Sequence, residues 1–276
     1  MDDCSSDDLA AVVREFTDSD IRHIRNNQKT NANVMRNNGV HEAKGDYVAF
    51  LDSDDEFLEN HISSKLAELQ ESRSDGIFGS SFIDDGKSKK YAGSRDITVG
   101  QTAIEYLLTI GFAPIPSWIV KRSCALETGF DNTLHRHQDY DFFVRFADKY
   151  KWQTSWKPTI IIHWEAGVAR QRHAGSEIQF IQRNFKSISP KVYYNYHLIQ
   201  LCMYLEANAP QVIIDYYRTE TTRYITQLSF IEFCTMYPQR KGAIGFVINW
   251  LSFSSLILIR KFLKPAPPAI PQSIAK

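Results

Sequence analysis

The chain has no surplus of either charge, because 32 basic and 32 acidic residues cancel over 276 positions. No whole-molecule field draws it to a polyanion, and no nucleic-acid partner is expected. The four cysteines, Cys4, Cys124, Cys202 and Cys234, are far apart and form no CxxC pair. That excludes a zinc finger or a disulfide framework and fits a reducing compartment. Met1 is followed by acidic residues rather than by a basic and then an apolar run, so a secretory leader is not expected. A cytoplasmic location follows, at the cytoplasmic face of the inner membrane if the C-terminal segment described below binds lipid. Neither GxxxxGKS/T nor GxGxxG occurs, which removes both standard glycine-rich phosphate loops. A nucleotide would have to be held through a metal and side chains instead.

Long apolar runs are also lacking, with one partial exception. Gly242 to Ile259 is free of charge for 18 residues, flanked by Arg240-Lys241 and by Arg260-Lys261 with Lys264. A spanning helix needs roughly 20 strongly apolar residues, and Asn249, Ser252 and Ser255 give this one a polar side. A basic-flanked interfacial helix over 240–264, in peripheral contact with a membrane, fits best. A buried or oligomer-facing helix and a spanning helix remain alternatives. Pro265-Ala266-Pro267-Pro268 cannot continue it.

What is present centres on Gly45 to Glu56. Tyr47 to Leu51 is a short β-branched and aromatic run that reads as a buried strand. It ends in Asp52, Asp54, Asp55 and Glu56, four acids within five positions. Such a cluster is costly through mutual repulsion unless a cation sits there. In an open α/β sheet that end of a strand is also where ligands bind. A polar strand-to-helix loop is the bland alternative. An EF-hand calcium loop is excluded, because Phe57 and Ser63 occupy the positions that need Gly and Glu.

Before this stretch, Asp7 or Asp8 can cap a helix carrying Leu9, Val12, Val13 and Phe16. Ile21 to Ile24 is a weak strand, and Thr30 to Glu42 a helix expected to break near Gly39. After it, Leu58, Ile62, Leu66 and Leu69 mark an amphipathic helix, Gly76 to Ile83 a strand, and Thr98 to Ile110 a helix. Pro116 to Val120 and Thr159 to His163 read as strands. Between them, His135 to Asp141 gathers histidines and carboxylates at the head of a helix whose apolar side is Phe142, Phe143 and Phe146. Asp139 or Asp141 there serves equally as a capping acid or as a catalytic one. Alternating strands and helices imply an α/β fold with a mostly parallel sheet. Beyond about Glu177 the pattern is helical.

Several of these residues resemble a known family. Asp2-Asp3-Cys4-Ser5-Ser6-Asp7 resembles the DDxSxD element of the family 2 glycosyltransferases, and Met35-Arg36-Asn37-Asn38-Gly39 resembles their ARNxG element. Asp46 to Asp55 resembles their strand and DxD motif. Phe130-Asp131 with Gln138-Asp139-Tyr140-Asp141 and Arg145 resembles the acceptor-side element, usually written Glu-Asp where this chain has Gln138-Asp139. Arg172-His173-Ala174-Gly175-Ser176 is similar to a later RxH segment. A lone DxD is weak, but five elements in family order over residues 1 to 176 are specific.

The resemblance implies a GT-A (Rossmann-like) domain over 1–176, a helical extension over 177–239, and the basic-flanked helix and Pro-rich tail over 240–276. It implies inverting transfer of a sugar from a nucleoside diphosphate sugar, uridine by family frequency, to a glycan or lipid-linked acceptor. Asp54 would contact Mg²⁺ or Mn²⁺, and Asp52 the ribose or the same metal, with these two roles exchangeable. Asp3 would meet the base, Arg36 and Asn37 would line the donor pocket, and Asp139 would be the general base. His173 would be a third metal-side ligand, with His163 as competitor. The family also places a strand and a helix before DDxSxD, which here begins at residue 2. The first strand, its helix and most of the second strand are therefore expected to be missing, through a misplaced start or a real truncation. The rival functions are a non-catalytic remnant and a nucleotidyltransferase.

Overall fold

A computed structural model describes residues 1–16, 20–109, 111–164 and 172–225. The chain divides into two units, Met1–Phe180 and Ile181–Lys276. The segment expected as an interfacial helix, 240–264, lies outside the described residues, and among those described no helix is long and apolar enough to cross a membrane.

The first unit opens with α1 (Leu9–Arg14), whose Asp8 side chain accepts from the Ala11 N–H as an N-cap. Next comes α2 (Ala32–Glu42), capped by Asn31 and continuous through Gly39. The break expected there does not occur. The next Ala43 N–H still bonds the Gly39 carbonyl, so the helix keeps its ladder, and Arg122 closes its end by donating to the Val40 and His41 carbonyls at 3.0 and 2.9 Å. The strand Tyr47–Ala49 (β1) leads through the acidic loop to β2 (Glu56–Phe57) and α3 (His61–Ser72). There follow β3 (Gly76–Gly79), β4 (Ser81–Asp84), β5 (Lys89–Ala92), α4 (Ala103–Thr109), β6 (Ile119–Lys121), α5 (Arg122–Thr128), α6 (Gln138–Ala147), β7 (Trp152–Ser155), β8 (Ile160–His163) and α7 (Ala174–Arg183).

The strands form two four-stranded sheets, ordered β1-β6-β3-β7 and β2-β8-β4-β5. The run from Gly76 to Ile83 is thus not one strand. Buried Ser80 lies between β3 and β4, and the two pieces join different sheets. Parallel pairing holds for β3 with β7 and β4 with β8, whereas β1 with β6, β3 with β6, β2 with β8 and β4 with β5 are antiparallel. The expected predominance of parallel pairs is corrected to a mixed arrangement. The physical reason lies at β1, which ends its sheet as described. Before β1 the described residues form a single parallel bridge, Asp2 to Arg25. That bridge is closed by Asp2 N–H to the Ile24 carbonyl and Asn26 N–H to the Asp2 carbonyl, each 2.8 Å. The weak strand expected at Ile21 to Ile24 is reduced to this.

The core beneath the sheets is aromatic. Trp118, Phe78, Tyr106, Phe142, Phe143 and Phe146 have no exposed surface. Phe143 stacks on Trp152 at 4.8 Å and Phe142 on Phe130 at 4.4 Å. Burying each such ring stabilises the fold by about 2–3 kcal/mol. The inward side of α6 is therefore fixed, and with it the direction of the helix's N-terminal turn. In the second unit, α8 (Pro190–Glu206) and α9 (Gln211–Ile225) carry a buried polar contact, Tyr193 Oη to Glu220 Oε2 at 2.9 Å.

Candidate active site

Phe50 anchors the start of the acidic loop. It is buried edge-on against Phe130 at 5.5 Å and Trp118 at 6.4 Å. From there the loop turns, with the Asp55 N–H donating to the Asp52 carbonyl at 3.1 Å. Asp52, Asp54 and Asp55 line one cavity of about 530 Å³ together with Asp139 and Tyr140 from the first turn of α6 and His163 at the end of β8. The acids of the DxD-like loop and the candidate base thus share one enclosure, although they lie far apart in sequence.

Arg36 supplies positive charge beside them. Its Nη2 donates to Asp52 Oδ1 at 2.7 Å, its guanidinium lies 5.7 Å over the Phe130 ring, and its buried Nη1 has no hydrogen-bond partner. Asn37, the next residue, does something else. Its Oδ1 accepts from the Phe130 N–H at 2.8 Å, and its Nδ2 donates to the Phe130 carbonyl at 2.9 Å and to Asn132 Oδ1 at 3.1 Å. The resemblance expects Asn37 in the donor pocket; its amide is bonded to the Phe130 loop. Successive helix residues point about 100° apart, so the neighbour of a site-facing arginine holds the backbone of the Phe130 loop instead. Arg145 grips the same loop from α6, donating to the Thr128 and Gly129 carbonyls while paired with buried Asp141 at 2.6 Å. Asp141 is thereby a structural carboxylate.

Burial holds the Asp139 carboxyl above the usual carboxylate range, against the opposing pull of the Tyr140 N–H and of the Arg36 and Arg136 guanidiniums. A carboxylate short of water binds a proton more readily, the property a base needs near neutral pH. Asp55 is pushed up to about 6, first by burial and then by its neighbours Asp54 and Asp52. Its Oδ1 accepts from the His163 N–H at 3.1 Å, which ties the loop to β8. The reading from sequence left Asp55 without a role, although its place in the acidic quartet was a visible signal.

The two histidines separate. His163 lines the cavity and its Nε2 lies 2.8 Å from Glu56 Oε1. His173 is not among the lining residues. Its Nδ1 accepts from the Ser176 N–H at 3.1 Å, at the start of α7, and its ring lies 4.8 Å from that of His135. Ser176 in turn accepts from the His135 and Arg136 N–H groups at 3.0 and 3.1 Å, steadying the turn that leads into α6. Asp3 also lies outside the cavity lining. It accepts from the Thr30 N–H and hydroxyl, at 2.8 and 2.7 Å, and from Asn26, and the Thr30 bonds hold its pKa low. Among the described residues no group of three or more His, Cys, Asp or Glu side chains forms a ready metal cage. The carboxylates that do converge still fit Mg²⁺ or Mn²⁺. Those ions take oxygen donors, and Mg²⁺ usually binds through one or two carboxylates plus substrate phosphates.

In this α/β domain the acids that follow β1 share one cavity with a carboxylate on the first turn of α6. Residues 1–126 match the model of glycosyl transferase family 2. The chain is 31% identical over 193 residues to the amylovoran biosynthesis glycosyltransferase AmsB of Erwinia amylovora, across 65% of this chain and 64% of that protein. It is 36% identical over 97 residues to the GalNAc(5)-diNAcBac-PP-undecaprenol beta-1,3-glucosyltransferase of Campylobacter jejuni, across 33% of this chain and 31% of that one. The chain thus spans less than two thirds of the length of either relative. The fold is similar to that of S. aureus TarS 1-349 crystallised with UDP-GlcNAc, with a TM-score of 0.52 at 15% identity, covering 93% of this chain and 71% of that one.

Proposed function

We propose that the chain is an inverting glycosyltransferase that moves a sugar from a UDP-sugar to a saccharide or lipid-linked acceptor in surface polysaccharide synthesis. The observation that supports it most is the shared cavity of Asp52, Asp54 and Asp139. In this reading Asp139 takes the proton from the acceptor hydroxyl as that oxygen attacks the anomeric carbon, a contribution of roughly 10²–10⁴-fold. Arg36 orients Asp52 through its 2.7 Å bond. Asp52 and Asp54 would hold Mg²⁺ or Mn²⁺, which neutralises charge on the departing diphosphate. The names of the relatives, which include a diphosphoundecaprenol-directed enzyme, support a lipid-linked acceptor. The basic-flanked 240–264 segment supports a place at the cytoplasmic face of a membrane.

The test is donor hydrolysis and transfer with a panel of UDP-sugars and Mn²⁺, repeated with Asp139→Asn and Asp54→Ala. Turnover by the unaltered chain that both substitutions abolish is expected. Undiminished turnover in either variant would overturn the site.

A further inference from the structure

The cavity has a second half that the catalytic reading does not use. None of Asp3, Arg36 and Asn37, the residues expected around the nucleotide, lines it. It runs from the acids and Asp139 towards the sheet of β4 and β8, over Ile83 and Ile162, which are neighbours in the parallel ladder. Two aromatic residues, Phe112 and Trp164, stand in its wall. Trp164 directly follows β8 and is 44% exposed, an unusual place for the largest apolar side chain. Its backbone is fixed by its N–H on the Asp84 carbonyl at 2.8 Å. Phe112 is fixed as well, since its carbonyl accepts from Ser94 Oγ and from the buried Tyr106 hydroxyl.

We infer that Phe112 and Trp164 form the seat of the acceptor's terminal pyranose. This rests on the glycosyltransferase reading above. A pyranose presents one face of C–H groups and a rim of hydroxyls. Rigid aromatic faces cover the first, and a few convergent polar groups orient the second. Here Asp139 and Tyr140 are the polar groups, in the same cavity wall. A volume of about 530 Å³ falls within the ~300–1,000 Å³ of pockets for drug-sized ligands, the size class of a disaccharide.

The experiment uses the full chain with UDP-sugars as donors and p-nitrophenyl α- and β-glycosides of glucose, galactose and N-acetylglucosamine as acceptors. Hydrolysis without acceptor is measured alongside transfer, and saturation-transfer NMR reads glycoside binding. The expected result is that Trp164→Ala raises acceptor KM about tenfold, with hydrolysis and donor KM unchanged, and that Trp164→Phe restores most of it. Phe112→Ala should act in the same direction, and ring C–H protons of the bound glycoside should lose saturation in both alanine variants. Unchanged acceptor KM in Trp164→Ala, an equal rise in donor KM, or hydrolysis with no glycoside bound by the unaltered chain overturns the inference alone. Absence of both hydrolysis and transfer with every donor overturns the glycosyltransferase reading, and this inference with it.

Discussion

Replacing Lys65 by methionine should stabilise the protein at neutral pH and lose that advantage in alkali. Lys65 has no exposed surface, an unusual place for an ammonium group without a carboxylate partner. Its Nζ donates to the Lys157 carbonyl at 3.2 Å and occupies the space that a side chain on Gly79 would need. No carboxylate lies within ion-pair distance of it among the described residues; Glu68 is close enough only to favour its charge. Burial is the leading cause that lowers its pKa from 10.5 to about 8, with the Lys157 charge adding to it. The folded protein therefore binds that proton less tightly than the unfolded chain does. The resulting penalty is complete below pH 8, shrinks as pH rises between the two values, and is gone above 10.5. One pKa unit is about 1.4 kcal/mol, so the full penalty is about 3 kcal/mol.

Methionine is unbranched and similar in length, so it fills the same channel without a charge. It gives up the bond to the Lys157 carbonyl, which costs about 1 kcal/mol. Lys65→Met should then be more stable by about 2 kcal/mol at pH 7, and the two proteins should converge to within about 1 kcal/mol at pH 10. Urea denaturation at both pH values reads this as a shift in midpoint at constant slope. A variant that is no more stable at pH 7, or whose difference does not change with pH, would refute the reasoning.

Other predictions follow from the same geometry. His61, stacked on Phe57 at 4.0 Å and bonded to Thr159 at 2.8 Å, is lowered to about 4 by burial and the Lys65 charge. It is neutral in the fold, so stability should fall as pH drops below about 6.5 and go on falling to about 4, by up to ~3 kcal/mol. His61→Phe should flatten that slope in a urea series. Asn37→Ala leaves the Phe130 N–H and carbonyl without their clamp; a loss of about 1–3 kcal/mol is expected in thermal unfolding, with kcat falling because Phe130 stacks on Phe142 of the helix that carries Asp139. Asp139→Asn should lower kcat by roughly 10²–10⁴-fold with donor KM little changed, checked by steady-state kinetics; an unchanged kcat removes the base. Chelation should abolish transfer, and Mn²⁺ should restore it, in an assay of released UDP.

Much of this was legible in sequence for one reason: alternating apolar patterns set the strands and helices, and acids beside a strand end announce a ligand. What was hidden depended on partners brought from elsewhere in the chain. Gly76 to Ile83 reads as one apolar run, yet its two halves pair with different strands. A local glycine predicted a break in α2, but Arg122 and an unbroken ladder overrode it. Arg36 and Asn37 looked alike as neighbours in a motif, and only the helix direction separates a site-facing guanidinium from an amide that clamps a loop. His163 and His173 were interchangeable on paper. The fold turns one towards Asp55 and uses the other at the head of α7.

The charge of the cavity carries the argument one step past these residues. Asp52, Asp54, Asp55 and Asp139 face it, while Arg36 beside Asp52 offers one permanent positive charge. Burial, with smaller pushes from Asp54 and Asp52, raises Asp55 to about 6. A bare nucleoside diphosphate would bring further negative charge to a site already repelling its own. In the proposed reaction a diphosphate that arrives with a divalent ion would bind more favourably, because the ion's charge would serve both the protein's carboxylates and the donor's phosphates. Those carboxylates would then favour the metal complex of the donor over the free nucleotide, and the acidic cluster that first marked the loop in sequence would be the source of that selectivity.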